Sequence, residues 1–283
     1  MISIVINLDS RPGFMEQKTS AELMFHGTRS LDYFTYGVRN KINFFHPEPV
    51  ETTVFVDHHS PLPEDAAKEL QSYIDTGLID NLIYSKHREY FKGQPYFSGW
   101  NDLNYLHALF CSRGEYIVHF DGDMAAFRRT GNDVINKFKG LLDSGQYKFI
   151  SYPTPLSPNP DSNPHGDWDY FWASTRFFMC KREALDFTEI LKCLENPDYM
   201  YGKYGDKKRR CPWLEHILGI ITGPGQVFYP PIEGYDYMIF SWCKYETGLY
   251  AKLMNTMHYD QQRHYVQQLG GIYYPCDVKG ALI

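Results

Sequence analysis

Asp121-Gly122-Asp123 sets two carboxylates one residue apart, straight after Glu115-Tyr-Ile-Val-His-Phe120, an apolar run that reads as a buried strand. Carboxylate oxygens are hard ligands, and the carboxyl end of a strand is where open α/β sheets bind their ligands. A bare Asp-x-Asp is also a common turn, since Asp bonds its own backbone and Gly takes unusual dihedrals, so its meaning depends on context. No cluster of His and Cys accompanies it, and the pair suits Mg²⁺ or Mn²⁺ better than zinc. Such ions keep several waters and are shared with substrate phosphates, so a diphosphate ligand is implied. No P-loop, no G-x-G-x-x-G between strand and helix and no H-E-x-x-H competes. Tyr201-Gly-Lys-Tyr-Gly205 lacks the flanking strand and helix and reads as a loop.

The elements that must position this pair alternate between strand and helix signals, which implies parallel strands with right-handed crossovers. Ile2 to Leu8 is a near-continuous apolar run, as in a strand covered on both faces. Spaced apolar residues from Leu23 to Phe45 predict a segment helical for much of its length, and Thr52 to Val56 a second strand ending at Asp57. Pro61, Pro63, Glu64 and Asp65 open a helix carrying Ala66, Ala67, Leu70, Tyr73 and Ile74 at the 3.6 period, and Gly77 stops it. Asn81 to Tyr84 is a third strand. Asn101 is expected to cap a helix with Leu103, Leu106, Leu109 and Phe110 on one side, ended by Gly114. The fourth strand delivers Asp121 and Asp123.

Further on, Thr130 to Ser144 predicts an amphipathic helix closed by Gly145, Lys148 to Tyr152 a strand, and the proline-rich stretch 153–166 a long irregular loop of the kind that is often functional. Arg176 to Lys181 resembles a strand, Glu183 to Leu194 a helix, and Asn196 to Pro212 a polar loop. That loop holds Lys207-Lys-Arg-Arg210, either a solvated face or a loop that neutralises phosphate. Trp213 to Ile221 reads as a short helix, Gln226 to Tyr229 as a strand and Tyr245 to Leu269 as a C-terminal helical region. The expectation is one α/β domain over 1–283, with a nucleotide-binding half at 1–125 and an acceptor half at 126–283.

Composition narrows the field. A net charge of −6 argues against broad nucleic-acid or anionic-membrane binding, which needs a basic field. The 23 Tyr residues suit a wet, shallow site for polar ligands such as sugars, although most should simply pack with the hydroxyl at the surface. The N-terminus starts directly as a strand with no cleavable apolar stretch, and no segment approaches a membrane span, so a cytoplasmic setting, peripheral to a membrane at most, is expected. The six cysteines show no C-x-x-C pairing and read as reduced, mostly buried thiols.

Ser3-Ile-Val-Ile-Asn-Leu-Asp9, Val54-Phe-Val-Asp-His-His-Ser60 and above all Ser112-Arg-Gly-Glu-Tyr-Ile-Val-His-Phe-Asp-Gly-Asp123 resemble the nucleotide-sugar glycosyltransferases of the GT-A fold, particularly family 2. The resemblance is close over about 25 residues and compatible in element order over the first ~125. Phe177-Phe-Met-Cys-Lys-Arg-Glu-Ala-Leu185 also looks like the family's strand leading into an "R-R-E-x-L" helix. Trp213-Leu-Glu-His216 partly resembles its acidic "E-D" element, with His216 standing where the family commonly has Asp.

The resemblance implies a Rossmann-like, mostly parallel central sheet flanked by helices. It implies transfer of a sugar, hexosyl or pentosyl, from a UDP- or GDP-sugar to a hydroxyl acceptor such as a glycan or polysaccharide, with inversion. Asp123 would ligate Mn²⁺ or Mg²⁺ bridging the diphosphate, and Asp121 would contact ribose or the metal. Asp9, Arg11, Asp57 and Asn104 would line the nucleoside pocket. Glu215 is the first candidate for the base that deprotonates the acceptor, with Asp169 and Asp167 behind it. His258 and His264 are candidates for a third metal ligand, and Trp100, Trp168 and Trp172 for stacking on sugar faces. Against these stand plain alternatives: turn or capping chemistry for Asp9 and Asp57, a helix N-terminal carboxylate for Glu215, and packed or surface positions for the histidines and tryptophans. A nucleotidyltransferase, or a non-catalytic carbohydrate-binding protein of the same fold, are the other readings. A nucleic-acid acceptor is disfavoured by the charge.

Overall fold

The computed structural model describes residues 1–9, 31–57, 64–83, 100–122, 124–129, 133–151, 176–204, 214–223, 225–228, 237–241 and 272–273. Strand β1 (Ile2–Asp9) buries Ile2, Ile4, Ile6 and Leu8, which alternation puts on one face. Helix α1 (Leu31–Phe45) leads to β2 (Val50–Asp57), helix α2 (Glu64–Asp75) to β3 (Asn81–Ile83), and helix α3 (Trp100–Cys111) to β4 (Tyr116–Phe120). These four strands are mutually parallel. Their order, β3-β2-β1-β4, means that the chain builds outward from β1 to β3 and then crosses back to lay β4 on β1's free side. A topological switch point therefore opens between the carboxyl ends of β1 and β4.

Beyond β4 come β5 (Met124–Arg129), helix α4 (Val134–Asp143), β6 (Phe149–Ser151) and β7 (Phe177–Lys181). Helices α5 (Phe187–Glu195), α6 (Pro197–Tyr204) and α7 (Leu214–Thr222) follow, then β8 (Val227–Phe228). The main sheet continues β4-β7-β6-β8, with β7 antiparallel to both neighbours, so the seven-stranded sheet draws strands from both 1–125 and 126–283. The α/β class and the mostly parallel, helix-flanked sheet agree with expectation. Two apolar layers cover the sheet. One joins Ile4, Ile6, Val118 and Phe120 to Val38 and Phe44 of α1, Leu70 of α2 and Phe138 of α4. The other joins Val5, Phe55, Ile117 and Phe178 to Leu106 and Leu109 of α3, Ile190 of α5 and Ile217 of α7. Each such side chain contributes roughly 1.5–3 kcal/mol by burial.

The amino edge of the sheet explains part of the motif before the acidic pair. Gly114 lies so close to β1 that a Cβ there would stand 2.6 Å from the Ser3 amide nitrogen. The Gly114 amide donates to Ser3 Oγ at 2.7 Å, and Ser3 Oγ donates to Glu51 Oε2 at 2.5 Å. Glu51 also accepts from the Arg113 amide at 2.8 Å and from Arg113 Nε at 2.7 Å. Burial alone pushes the Glu51 carboxyl up, yet the hydrogen bonds from Ser3 and Arg113 and the Arg113 charge hold it below its ordinary value. Ser112-Arg113-Gly114 thus ties β1, β2 and β4 together at the end of the sheet away from Asp121.

Several expectations need correction. Helix α3 begins at Trp100, so Asn101 lies inside its first turn instead of capping it. The single helix expected from Glu183 is a 3₁₀ turn at Arg182–Ala184 followed by α5, because Asp186 caps a new start by accepting from the Glu189 amide at 2.9 Å. The polar loop expected from Asn196 contains α6: Asn196 Oδ1 accepts from the Tyr199 amide, and the Glu189 carboxylate accepts from Tyr199, Lys203 and Tyr204. No element is expected between Asp123 and Thr130, yet β5 pairs antiparallel with Tyr237–Ser241 (β9) and Ile272–Tyr273 (β10). Met-Ala-Ala-Phe-Arg-Arg has no period-2 pattern, and its partners come from more than 100 residues away. The 153–166 loop, the basic run 207–210 and the 245–269 region lie outside the described residues.

Cys111, Cys180 and Cys193 are free thiols, the latter two buried. Burial pushes Cys180 up, and pushes Cys193 up to about 11. Cys211, Cys243 and Cys276 lie outside the described residues.

Candidate functional site

Asp9 and Asp57 are register partners at the carboxyl ends of β1 and β2, and Asp121 follows the last residue of β4 on β1's other side. Three acidic positions thus sit along one edge of the parallel sheet, around the switch point. Strand ends bring them together because each crossover returns the chain to the amino edge, so every parallel strand finishes on the same side.

The turn after β4 is held from four directions. The Asp121 amide donates to the Arg176 carbonyl at 2.9 Å, and the Met124 amide donates to the Asp121 carbonyl at 3.0 Å. The Gly122 amide donates to Asn7 Oδ1 on β1. From α1, Lys41 Nζ donates to the Gly122 carbonyl at 3.2 Å and the Met124 carbonyl at 2.6 Å. One residue earlier, Asn40 makes a two-way bond with β5: Nδ2 donates to the Ala126 carbonyl at 3.0 Å, and the Ala126 amide donates to Oδ1 at 2.9 Å. Helix α1 therefore fixes both the acidic turn and the strand that leaves it.

Asp121 is partly exposed, its side chain 28% accessible, and His119 beneath it is buried. His119 Nε2 lies 3.2 Å from Asp121 Oδ1. An ionised carboxylate only accepts, so Nε2 carries the proton. Aromatic rings hold the imidazole: Tyr105 at 4.2 Å between centroids, Phe178 at 5.7 Å and Phe55 at 6.0 Å. Positions 119 and 121 share a face because strand side chains alternate.

Asn104 of α3 is buried, and its Nδ2 donates to the Val56 carbonyl at 2.9 Å, which ties α3 to the end of β2. Trp100 is the first residue of α3, entered after β3. Glu215 and His216 fall in the first turn of α7, whose Leu214, Ile217 and Leu218 are buried in the layer that also holds Phe178. Arg11, Asp123, Asp167, Trp168, Asp169, Trp172, His258 and His264 lie outside the described residues. Among the described residues, no three His, Cys, Asp or Glu side chains form a group that could hold a metal ion. The donor type nonetheless fits a hard cation: Asp121 offers a partly exposed carboxylate whose backbone is fixed, beside strand ends that carry two further acids.

Asn7, Asn40, Lys41 and His119 are given no role in the sequence reading. Asn7 and His119 sit inside apolar runs, where a polar side chain in a strand buried on both faces is the one available signal. Lys41 and Asn40 carry no local signal for this role, because the β4–β5 carbonyls they bond lie over 80 positions away.

No protein-family model matches the chain, and no curated protein sequence matches it. Several solved structures resemble it in shape. A galactosyltransferase, LgtC, in complex with donor and acceptor sugar analogues, overlaps 81% of this chain and 73% of its own at TM-score 0.45 and 11% identity. A mannosyltransferase from Pyrobaculum calidifontis, in complex with GDP-Man and Mn²⁺, overlaps 81% of this chain and 54% of its own, at TM-score 0.38 and 11% identity. The glycosyltransferase GlyE of Streptococcus pneumoniae TIGR4 overlaps 96% and 66%, at TM-score 0.42 and 9% identity. At these scores and identities the likeness assigns this chain neither donor nor acceptor.

Proposed function

We propose that this chain is a metal-dependent glycosyltransferase of the GT-A type that moves a hexosyl or pentosyl group from a nucleoside diphosphate sugar to a hydroxyl acceptor with inversion. The observation that carries the reading is the braced acidic turn at the switch point of a parallel sheet, with Asp9 and Asp57 ending the neighbouring strands. The sequence resemblance around Ser112 to Asp123 supports it independently.

In this reading Asp121 and Asp123 hold Mn²⁺ or Mg²⁺, with His258 a candidate further ligand. When bound, the ion offsets negative charge on the departing diphosphate. The chain's own residues do the rest. Asp9, Arg11 and Asp57 receive the nucleoside, while Asn104, whose amide holds the Val56 carbonyl, keeps the end of β2 in place from behind. His119 holds the Asp121 carboxylate through Nε2. The Glu215 carboxylate takes the proton of the acceptor hydroxyl as that oxygen attacks the anomeric carbon from the side opposite the diphosphate, with Asp169 and Asp167 as alternatives. Trp100, Trp168 and Trp172 give flat apolar faces on which the acceptor's sugar rings stack.

Incubation with UDP- and GDP-sugars and Mn²⁺, scored as nucleoside diphosphate release with and without glycan acceptors, tests the proposal. Release that disappears in EDTA is expected. No turnover with any donor, together with no metal-dependent nucleotide binding, would reject it.

A further inference from the structure

We propose that Lys41 is a positioning residue for the acidic turn, and that Gly37 is the residue that makes room for it; this deepens the donor-site reading and rests on it. Lys41 is fully buried, in the middle of α1, which is an expensive place for an ammonium. Its Nζ donates to Gly122 and Met124, the carbonyls on either side of residue 123, and weakly to the Gly37 carbonyl at 3.4 Å. A helical side chain leans toward the preceding turn, so the Lys41 side chain runs over Gly37. A Cβ at Gly37 would stand 3.3 Å from Lys41 Nζ and 3.5 Å from the Gly122 carbonyl oxygen. Glycine inside a helix is less favourable than alanine, so its presence here goes with the close approach of helix, ammonium and turn.

The arrangement sets the direction of the Gly122 and Met124 carbonyls, on the two residues that flank position 123. A methionine at 41 fills the space but donates nothing. An alanine at 37 leaves the lysine in the chain but crowds its ammonium, meeting the Gly122 carbonyl oxygen only at van der Waals distance, while it favours the helix. Structural damage and loss of positioning therefore separate: the first lowers thermal stability, and the second weakens metal-dependent binding without lowering stability.

The test titrates UDP and GDP, each with and without Mn²⁺, into the wild type, Lys41→Met and Gly37→Ala. Thermal unfolding and backbone hydrogen exchange over residues 120–126 are followed in parallel. For whichever nucleotide the wild type binds, both variants are expected to lose at least ~10-fold in Mn²⁺-dependent affinity, leaving metal-free binding unchanged, and to exchange faster at Gly122 and Met124. The Gly37→Ala midpoint is expected to stay within a few degrees of wild type, which keeps the test valid if Lys41→Met fails to fold. Wild-type affinity and exchange in Gly37→Ala would overturn the role assigned to Lys41 and Gly37. A wild type that binds neither nucleotide with Mn²⁺ would instead reject the donor-site reading, and the positioning role with it.

Discussion

Of the acidic pair, Asp121 is the member whose surroundings the structure describes. Asp121 is braced through its carboxylate by His119 and through its backbone by Arg176 and Met124. Under the donor-site reading, Asp123→Ala should abolish detectable transfer and metal-dependent donor binding while thermal stability stays near wild type, since it removes no apolar packing; residual turnover insensitive to EDTA would count against it. Glu215→Gln keeps shape and loses basicity. It should leave donor affinity within about twofold and slow transfer by roughly 10²–10⁴, the usual contribution of a general base. Near-normal turnover would move the base to Asp169, Asp167 or elsewhere. At this scale the sequence makes the acidic pair legible and hides its support: His119 reads as one more member of an apolar strand, and Asn7 as a strand residue.

Between elements, a four-residue polar connection lies at the opposite edge of the sheet. Ser3, Glu51, Arg113 and Gly114 join β1, β2 and the start of β4, and Glu51 is buried there with its carboxyl held below its ordinary value of 4.5. A depressed folded-state value means stability that is fully present above the unfolded value and lost as pH falls through the folded one. Glu51→Gln should therefore be less stable than wild type at pH 7, with the gap closing as pH drops below about 4.5 in urea unfolding; a gap independent of pH would remove the charge from the explanation. Gly114→Ala should cost about 2 kcal/mol or more, because the added Cβ meets the Ser3 backbone and not a flexible side-chain end. The Ser112 to Glu115 segment, read from sequence as one motif with the acidic pair, thus divides into a structural half and a ligand-facing half joined by β4. Elements with local signals were legible: Gly77 and Gly145 do end their helices, each at positive φ. Elements made by distant partners were not: β5 depends on β9 and β10, and α6 on the carboxylate of Glu189 one helix earlier.

Across the molecule, the β3-β2-β1-β4 order does the work that no single motif does. It places the turn after β4 beside the end of β1 and near β2, so residues 9, 57 and 121 meet along one sheet edge. The alternation of strand and helix in the first half made the parallel pairing and the shared edge foreseeable, though not the strand order, since parallel strands need crossovers and crossovers put every strand end on one side. The antiparallel β7 and the small sheet of β5, β9 and β10 were not foreseeable, because nothing in a short apolar run states its direction. Among the described residues no helix is long and apolar enough to cross a membrane. The account's central claim is that this edge binds a nucleoside diphosphate through a divalent ion. Calorimetric titration of UDP and GDP into the wild-type chain, with Mn²⁺ and then with EDTA, tests it most directly. One of the two nucleotides should bind at a single site with Mn²⁺ and lose at least ~10-fold in affinity in EDTA; no binding of either, or equal binding with and without the metal, would contradict the account.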